Sequence, residues 1–240
     1  MEHKHASAIL KELWSVYGCS IELEYSSIKT REQVLDEFFF VLLGGFGISY
    51  ELNKSALQIL KQRGLFNEKY YRDKNNLFLI EEKIREQFSL QQFSPSTING
   101  QLRKYRYIET KPITISAAGS WLWEKCEWKL YDSMQEMNTT ELRVWLCSCP
   151  GIGLKSASWF LRNIGISDDY AVFDVHVIRF LDYLGFDIPT PLTEKMYLKL
   201  EESLRKVCSN VGVSLGKIDY LLWILSRNGF LDYINRGERV

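Results

Sequence analysis

Several features are scarce in this sequence of 240 residues, and each absence excludes a class of protein. The five cysteines lack CxxC spacing, which argues against a disulfide framework and against a tetrahedral zinc site. The apolar run at residues 38–43 is far shorter than the roughly 20 residues that cross a bilayer. The polar start Met1-Glu2-His3-Lys4-His5 is unlike a signal peptide. We therefore expect a cytosolic protein with reduced thiols and no membrane attachment.

A basic excess is also missing, because 30 Lys and Arg residues balance 30 Asp and Glu residues. Such an excess would indicate nucleic-acid binding through counterion release. Its absence does not exclude that function, since local basic clusters and backbone amides at helix N-termini also bind phosphate. The one dense basic cluster could face phosphates or could be a solvated helix end, and it consists of Arg103, Lys104, Arg106 and Lys111.

Helical periodicity is abundant in this sequence. Apolar side chains recur at intervals of three and four residues, as at Val34, Phe38 and Val41. Breaks rich in glycine or proline divide the chain into about eight to ten helices, and they fall at residues 44–47, 91–100, 150–153, 165–169 and 185–191. Extended structure has only two weak candidates, residues 20–25 and 111–116. The pattern predicts an all-α fold.

The sequence Pro-Gly-Ile-Gly at residues 150–153 separates two predicted amphipathic helices, so that about residues 141–164 form a helix-hairpin-helix. Gly151 and Gly153 would let backbone amides approach a phosphate closely, and the start of the next helix adds its positive dipole end. A plain turn with a C-capping glycine accounts for one glycine more readily than for two. We therefore favour a phosphate-binding hairpin.

The second helix of this motif has two predicted faces. At about 100° per residue, a buried stripe and an opposite face follow from the sequence; they consist of Leu154, Ala157, Leu161 and Ile164 on one side and of Lys155, Trp159 and Arg162 on the other. A lysine on a polar helix face is usually only solvated. Lys155, however, lies two residues after the hairpin, where a bound strand would bring a sugar within reach of a nucleophilic amine.

Asp174 stands where residues 170–180 pass from a loop into a predicted helix, which is the position of an N-cap. A carboxylate held by cap hydrogen bonds is rigidly placed and stays ionised, so it could also face an electron-poor sugar. The two interpretations of Asp174 are compatible. His176 follows in the first helical turn, where we expect a structural or phosphate-contacting role rather than that of a base.

Residues 150–158 (PGIGLKSAS) followed by residues 172–176 (VFDVH) resemble the signature of the helix-hairpin-helix DNA glycosylase superfamily. Gly153-Leu154-Lys155 with residues 160–163 (FLRN) is most similar to the archaeal-type 8-oxoguanine DNA glycosylases, which are bifunctional glycosylase/lyases without an iron–sulfur cluster. The resemblance implies that Lys155 and Asp174 are catalytic. It also implies a set of DNA-binding residues, which we assign to Gly151, Ile152, Gly153, Arg162 and His176.

Two further segments extend this resemblance. Residues 41–49 with residues 53–56 are similar to the early helix and turn of the family, and Phe46 occupies the place of the residue that wedges into the duplex. Residues 218–223 resemble the final helix of the archaeal-type enzymes, which implies that Asp219 and Trp223 line the base pocket. By pattern alone Trp223 would belong to the core, and stacking on a flipped base is the sharper alternative.

The family arrangement implies two packed helical subdomains with a cleft between them for the base. We expect one subdomain at residues 29–166, containing the hairpin, and a second formed by residues 1–28 and 167–240. The implied partner is double-stranded DNA with a damaged or modified base, bound by a monomer without metal or other cofactor. The implied location is the cytoplasm, at the nucleoid in a prokaryote.

The function implied by the resemblance is excision of an oxidised purine, 8-oxoguanine, from duplex DNA through a lysine Schiff base. Three alternatives stay open: the same chemistry on another modified base, a non-catalytic DNA-binding module, and a helical bundle that binds protein. The chain carries its own insertion near residues 64–100. The archaeal-type enzymes end soon after the final helix with a terminal lysine that contributes to base recognition, whereas this chain continues through residues 233–240.

Overall fold

The computed structural model of this protein describes residues 4–25 and 30–237. Within these ranges the regular structure is helical, with no β-strand, and the predicted all-α fold is confirmed. The helices, in chain order, are α1 Lys4–Tyr25, α2 Arg31–Leu43, α3 Tyr50–Gln62, α4 Leu77–Ser89, α5 Thr110–Cys126, α6 Leu130–Met134, α7 Thr139–Cys147, α8 Leu154–Asn163, α9 Val175–Tyr183, α10 Glu194–Val211, α11 Leu215–Arg227 and α12 Phe230–Gly237.

Local sequence explains where several helices begin. Helix α7 starts with a capping box, in which the Asn138 side chain accepts from the Glu141 amide and the Glu141 side chain accepts from the Asn138 amide. Helix α10 is preceded by its N-cap Thr193, whose hydroxyl accepts from the Met196 amide at 3.4 Å. Such caps satisfy amides in the first turn that have no partner within the helix.

Both candidates for extended structure are wrong. Residues 20–25 belong to α1, and residues 111–116 belong to the first half of α5. Pro112 does not break α5, because it lies in the first turn, where the missing amide hydrogen has no helical acceptor in any case. Alternation over six residues was too short a signal to outweigh helical packing.

The chain divides into two compact units. A middle unit runs up to Gly153, and a terminal unit combines the described residues before residue 29 with the chain from Leu154 onward. The predicted boundary at residues 28 and 29 lies outside the described residues. The second helix of the motif, α8, is grouped with the terminal unit. The extension of the hairpin subdomain to residue 166 stays a prediction.

The terminal unit has an aliphatic and aromatic core contributed by α1, α9, α10 and α11. Fully buried side chains at its centre include Leu10, Phe180, Leu204 and Leu222. Burial of side chains of this size stabilises a fold by about 2 kcal/mol each. This core holds α9 and α11, the two helices on which Asp174 and Asp219 were placed by sequence.

The middle unit buries an aromatic cluster, in which Phe88 stacks on Tyr105 with ring centroids 4.2 Å apart. Tyr105 follows a loop that is tied back by paired hydrogen bonds between Phe93 and Arg103. The segment expected as an insertion contains helix α4 and most of the loop that precedes Tyr105. Across the described residues, no helix combines the length and the apolar composition that a membrane span requires.

Candidate functional site

The hairpin after α7 depends on Gly151 for its shape. Gly151 has a φ of +83°, in the left-handed region that side chains with a Cβ atom rarely adopt. A Cβ atom at this position would lie 2.2 Å from Cγ2 of Thr114 and 3.3 Å from Cδ2 of Leu42. This glycine is therefore required by the fold of the middle unit, independently of any ligand.

Gly153, unlike Gly151, is not required by the packing around it. A Cβ atom there would meet no atom within 4 Å, and its φ is not in the left-handed region. Between the two glycines, Ile152 is buried and its amide donates to the carbonyl of Cys149 at 3.0 Å. Among the described residues, no backbone carbonyl accepts from the amides of Gly151 and Gly153. These two exposed glycine amides are the groups of the hairpin that can meet a ligand.

Lys155 is exposed in the first turn of α8, which begins directly after the hairpin. The predicted core stripe of this helix is buried at Ala157, Leu161 and Ile164, while Leu154 is half-buried. Lys155 points away from that stripe, as its spacing predicts. Its amine is therefore accessible to a ligand at the start of the helix.

Asp174 is the N-cap of α9, as predicted. One carboxylate oxygen, Oδ1, accepts from the amides of His176 and Val177, each at 2.9 Å. The side chain is only half-buried. The carboxylate is thus fixed in orientation by two hydrogen bonds and still has an oxygen, Oδ2, that takes no part in the cap.

The three residues before Asp174 are held by buried polar side chains. The amide of Ala171 donates to Glu201 at 3.0 Å, and the amide of Val172 donates to Asp219 at 2.9 Å. The hydroxyl of Tyr197 donates to the carbonyl of Ala171 at 2.7 Å and accepts from the amide of Phe173 at 3.4 Å. This non-helical segment is therefore fixed along its length.

The structure corrects the prediction that Arg162 points away from the core to contact DNA. Arg162 is 6% exposed, and its guanidinium pairs with the carboxylate of Asp219, which is 1% exposed. The periodicity placed Arg162 opposite the stripe of α8 correctly, but α11 covers that face as well. A guanidinium engaged in this buried pair is not presented to phosphates at the surface.

Asp219 lies in α11 and was predicted to line the base pocket. One of its oxygens accepts from Val172 and the other pairs with Arg162, so the side chain is enclosed by its own unit. Burial raises the pKa of the Asp219 carboxyl to about 7, while the positive charge of Arg162 and the hydrogen bond from Val172 act in the opposite direction. Its contact with a base stays a prediction.

Trp223 and His176 have neighbours within the terminal unit. The indole of Trp223 is half-buried and stacks on Tyr220, with ring centroids 5.7 Å apart, while the guanidinium carbon of Arg227 lies 5.1 Å from the Trp223 ring. His176 is half-buried, and its Nδ1 lies 3.5 Å from the hydroxyl oxygen of Ser226. Both side chains remain partly accessible, and their contacts with DNA stay predictions.

Phe46 stands at the tip of the turn between α2 and α3 and is 76% exposed. The hydroxyl of Tyr107 donates to the Phe46 carbonyl at 2.6 Å, and the guanidinium carbon of Arg106 lies 5.6 Å from the Phe46 ring. Gly47 has a φ of +74°, and a Cβ atom there would lie 1.9 Å from Nη1 of Arg106. The ring is thus presented to solvent by a supported turn.

The residues of the predicted basic cluster have different roles in the structure. The ammonium of Lys111 donates to the carbonyls of Leu42 and Gly44 at the end of α2, the latter at 2.6 Å, so it caps a helix. Arg103 and Lys104 are exposed, and the guanidinium of Arg103 donates to the carbonyl of Ser96 at 3.4 Å. Sequence alone did not separate these roles, because a capping lysine and a solvated lysine have the same local pattern.

Sequence reasoning missed Glu201 and Tyr197, which hold the segment before Asp174. A signal was present, since Glu201 shares the buried face of α10 with Tyr197, Leu200 and Leu204. An acidic residue at a buried helical position needs a partner. In the described parts of the chain, no group of three His, Cys, Asp or Glu side chains is placed to hold a metal ion.

Comparison with known proteins places this helical architecture among the helix-hairpin-helix DNA glycosylases. The crystal structure of the 8-oxoguanine DNA glycosylase of Thermotoga maritima has a similar fold, with a TM-score of 0.65 and 26% identity over 93% of this chain and 97% of that chain. A structure of the Methanocaldococcus jannaschii 8-oxoguanine glycosylase/lyase, in complex with a 15mer DNA containing 8-oxoguanine, has a TM-score of 0.63 and 20% identity, covering 91% of this chain and 96% of that one.

The sequence comparison specifies the family. The family model of 8-oxoguanine DNA glycosylase matches residues 72–213. The 8-oxoguanine DNA glycosylase/AP lyase of Thermotoga maritima is 48% identical over 77 residues, which are 31% of this chain. This aligned segment spans 37% of the length of that relative. The chain belongs to the helix-hairpin-helix 8-oxoguanine DNA glycosylase family.

Proposed function

We propose that this protein is a bifunctional DNA glycosylase/AP lyase that excises an oxidised purine, 8-oxoguanine, from duplex DNA. The proposal is carried by what the terminal unit shows at Lys155 and at Asp174. An exposed amine follows a hairpin with free glycine amides, and an oriented carboxylate caps α9. The names of the Thermotoga maritima and Methanocaldococcus jannaschii relatives support this chemistry and this substrate.

The hairpin would hold the DNA backbone. The amides of Gly151 and Gly153 would donate to phosphate oxygens, and the N-terminal end of α8 would add its positive dipole end. Ile152 would contribute indirectly, since its buried side chain and its bond to Cys149 fix the turn. His176 would contact a phosphate from the first turn of α9.

Extrusion of the damaged nucleotide costs a few kcal/mol. Phe46 would offset part of this cost by filling the gap in the duplex, and its exposure in a supported turn suits that task. Trp223 would stack on the extruded base. Base–aromatic stacking contributes about 1 to 3 kcal/mol for each base.

Lys155, in its neutral form, would attack C1′ of the sugar. A bond forms between its nitrogen and C1′ while the N-glycosidic bond breaks, and the base leaves with the electron pair and takes up a proton. Asp174 would stabilise the positive charge that develops on the sugar and assist proton transfer. The amine then loses its proton while the C1′–O4′ bond breaks and O4′ takes up a proton, which gives the Schiff base. Loss of a proton from C2′ then expels the 3′ phosphate, and this β-elimination cleaves the strand on the 3′ side.

Borohydride trapping on duplex DNA containing 8-oxoguanine tests this proposal. The wild-type protein should release the base and form a covalent complex, and Lys155→Gln should form none. Lys155→Arg is the matched control, because it keeps the positive charge and cannot form a Schiff base. A covalent complex that persists in both variants would refute Lys155 as the nucleophile.

The same experiment separates the alternatives when the duplex carries other lesions. Release of a different modified base with trapping at Lys155 would keep the mechanism and change the substrate. Binding without release of any base would indicate a DNA-binding module. DNA affinity that depends on phosphate contacts falls steeply as the salt concentration rises. A protein-binding bundle would lack such an affinity for DNA.

A further inference from the structure

The segment from Ala171 to Phe173 is fixed more firmly than a connecting loop requires. Its amides donate to Glu201, Asp219 and Tyr197, and all three of these side chains are at most 5% exposed. Backbone amides that are buried need acceptors, and water or a backbone carbonyl usually supplies them. Here buried side chains from α10 and α11 supply them instead.

Asp219 also forms an ion pair, which its role as a hydrogen-bond acceptor does not require. Its carboxylate is paired with Arg162, so that a charge pair lies within the terminal unit at 6% and 1% exposure. Burying two charges costs several kcal/mol of desolvation for each ion, and apolar residues of similar volume often stabilise a fold as well or better. Stability alone therefore gives a weak reason for this pair.

The Arg162–Asp219 pair connects α8, which carries Lys155, to the segment that precedes Asp174. Arg162 lies seven residues after Lys155 in α8, which places both side chains on nearly the same face and about 10 Å apart along the axis. Asp219 bonds at the same time to Val172, two residues before Asp174. A continuous chain of contacts thus runs from the helix of the amine to the backbone that precedes the carboxylate.

We propose that Arg162, Asp219 and Tyr197 are positioning residues, which hold the segment of Asp174 at a fixed distance and orientation relative to Lys155. The inference rests on the proposed function, since it needs both residues to act on one sugar. Asp219 then serves excision through the backbone of Val172 rather than by touching the base. Tyr197 serves it through Ala171 and Phe173.

The two steps of the reaction differ in their need for this positioning. Excision requires the carboxylate of Asp174 to face the sugar while the glycosidic bond breaks. A preformed abasic site already presents an aldehyde at C1′, so Lys155 can form the Schiff base there without departure of a base. A loss of alignment should therefore slow excision and spare trapping on an abasic site.

The experiment compares Asp219→Asn and Tyr197→Phe in the full-length protein. Asp219→Asn keeps an oxygen acceptor for Val172 and removes the charge, whereas Tyr197→Phe removes the hydroxyl and keeps the ring. Single-turnover excision of 8-oxoguanine should slow by about a hundredfold, the cost of a misplacement of about 1 Å. Affinity for the lesion duplex and borohydride trapping on an abasic duplex should stay unchanged.

Leu204→Ala is the control for a general loss of stability, because Leu204 is fully buried in the same core and makes no contact with the segment through hydrogen bonds. All variants are assayed well below their melting temperatures. The proposal is overturned if Tyr197→Phe and Asp219→Asn excise at the wild-type rate, or if Leu204→Ala slows excision as much. A wild-type protein that traps no abasic site would instead refute the proposed function.

Discussion

Gly151 and Thr114 approach each other so closely that a Cβ atom at position 151 would lie 2.2 Å from Cγ2 of Thr114. Gly151→Ala therefore combines a left-handed φ with a steric clash. We expect the free energy of unfolding to fall by roughly 2 to 5 kcal/mol, the sum of both effects. Urea denaturation of the variant and the wild type measures this loss.

Two further variants distinguish the steric clash at position 151 from the strain of its left-handed φ. Thr114→Ser in the Gly151→Ala background removes Cγ2 and keeps the hydroxyl that donates to Thr110, so it should restore the part of the stability lost to the clash. Gly153→Ala has open space around it and should leave stability within about 0.5 kcal/mol. Its DNA affinity should nevertheless fall, since a methyl group at this exposed amide would hinder a phosphate. Equal stability losses at both glycines would contradict this division.

Asp174 has a structural and a proposed catalytic task, and two substitutions distinguish them. Asparagine is as good an N-cap as aspartate, so Asp174→Asn should keep the fold and lower the excision rate by about a hundredfold or more. Asp174→Ala loses the cap as well and should cost about 1 kcal/mol of stability in addition. Thermal unfolding and single-turnover excision are measured on the same samples. Unchanged turnover in Asp174→Asn would leave only the cap.

Phe46 offers a test of the wedge. Because its ring is 76% exposed, Phe46→Ala should leave stability within about 0.5 kcal/mol. Excision should slow by about fivefold to a hundred-and-fiftyfold, which corresponds to the loss of about 1 to 3 kcal/mol of stacking. Phe78→Ala, which removes another exposed ring in the same unit at 71% exposure, is the matched control. Equal effects of the two substitutions would argue against a wedge.

The cysteines should separate by their reactivity. Burial raises the pKa of Cys126 to about 11 and that of Cys208 to about 12, and it raises the pKa of Cys149 further. These thiols stay protonated at pH 8, and only a thiolate is nucleophilic. A disulfide reagent should therefore modify exposed Cys19 and partly exposed Cys147 under native conditions, and the other three only after unfolding. Fast modification of all five would contradict the structure.

The raised thiol pKa values also set the sign of a stability change in alkali. Between the unfolded value near 9.0 and the higher folded values, the native state binds more protons than the unfolded state. The stabilising contribution of these thiols is therefore complete below about pH 9 and declines as the pH rises above it, by up to about 1.4 kcal/mol per pH unit for each thiol. Urea denaturation between pH 8 and pH 10.5 measures the decline, and a Cys208→Ala variant should show a smaller one.

Local interactions were visible in the sequence. The N-cap at Asp174 depends on hydrogen bonds within three residues, and this prediction agrees with the structure. The position of Lys155 opposite the stripe of α8 follows from the helical period in the same way. The family followed as well, because its signature is made of these same local elements.

The tertiary structure alone decided which polar side chains turn inward. Arg162 and Asp219 are separated by 57 residues in the chain, and Lys111 is separated by 69 residues from the carbonyl of Leu42 that it caps. No helical period contains this information, because the environment of a helix face depends on which distant element packs against it. The sequence therefore determined the fold class and the two residues of the proposed chemistry, and packing determined that Arg162 lies buried in an ion pair with Asp219 instead of at the surface.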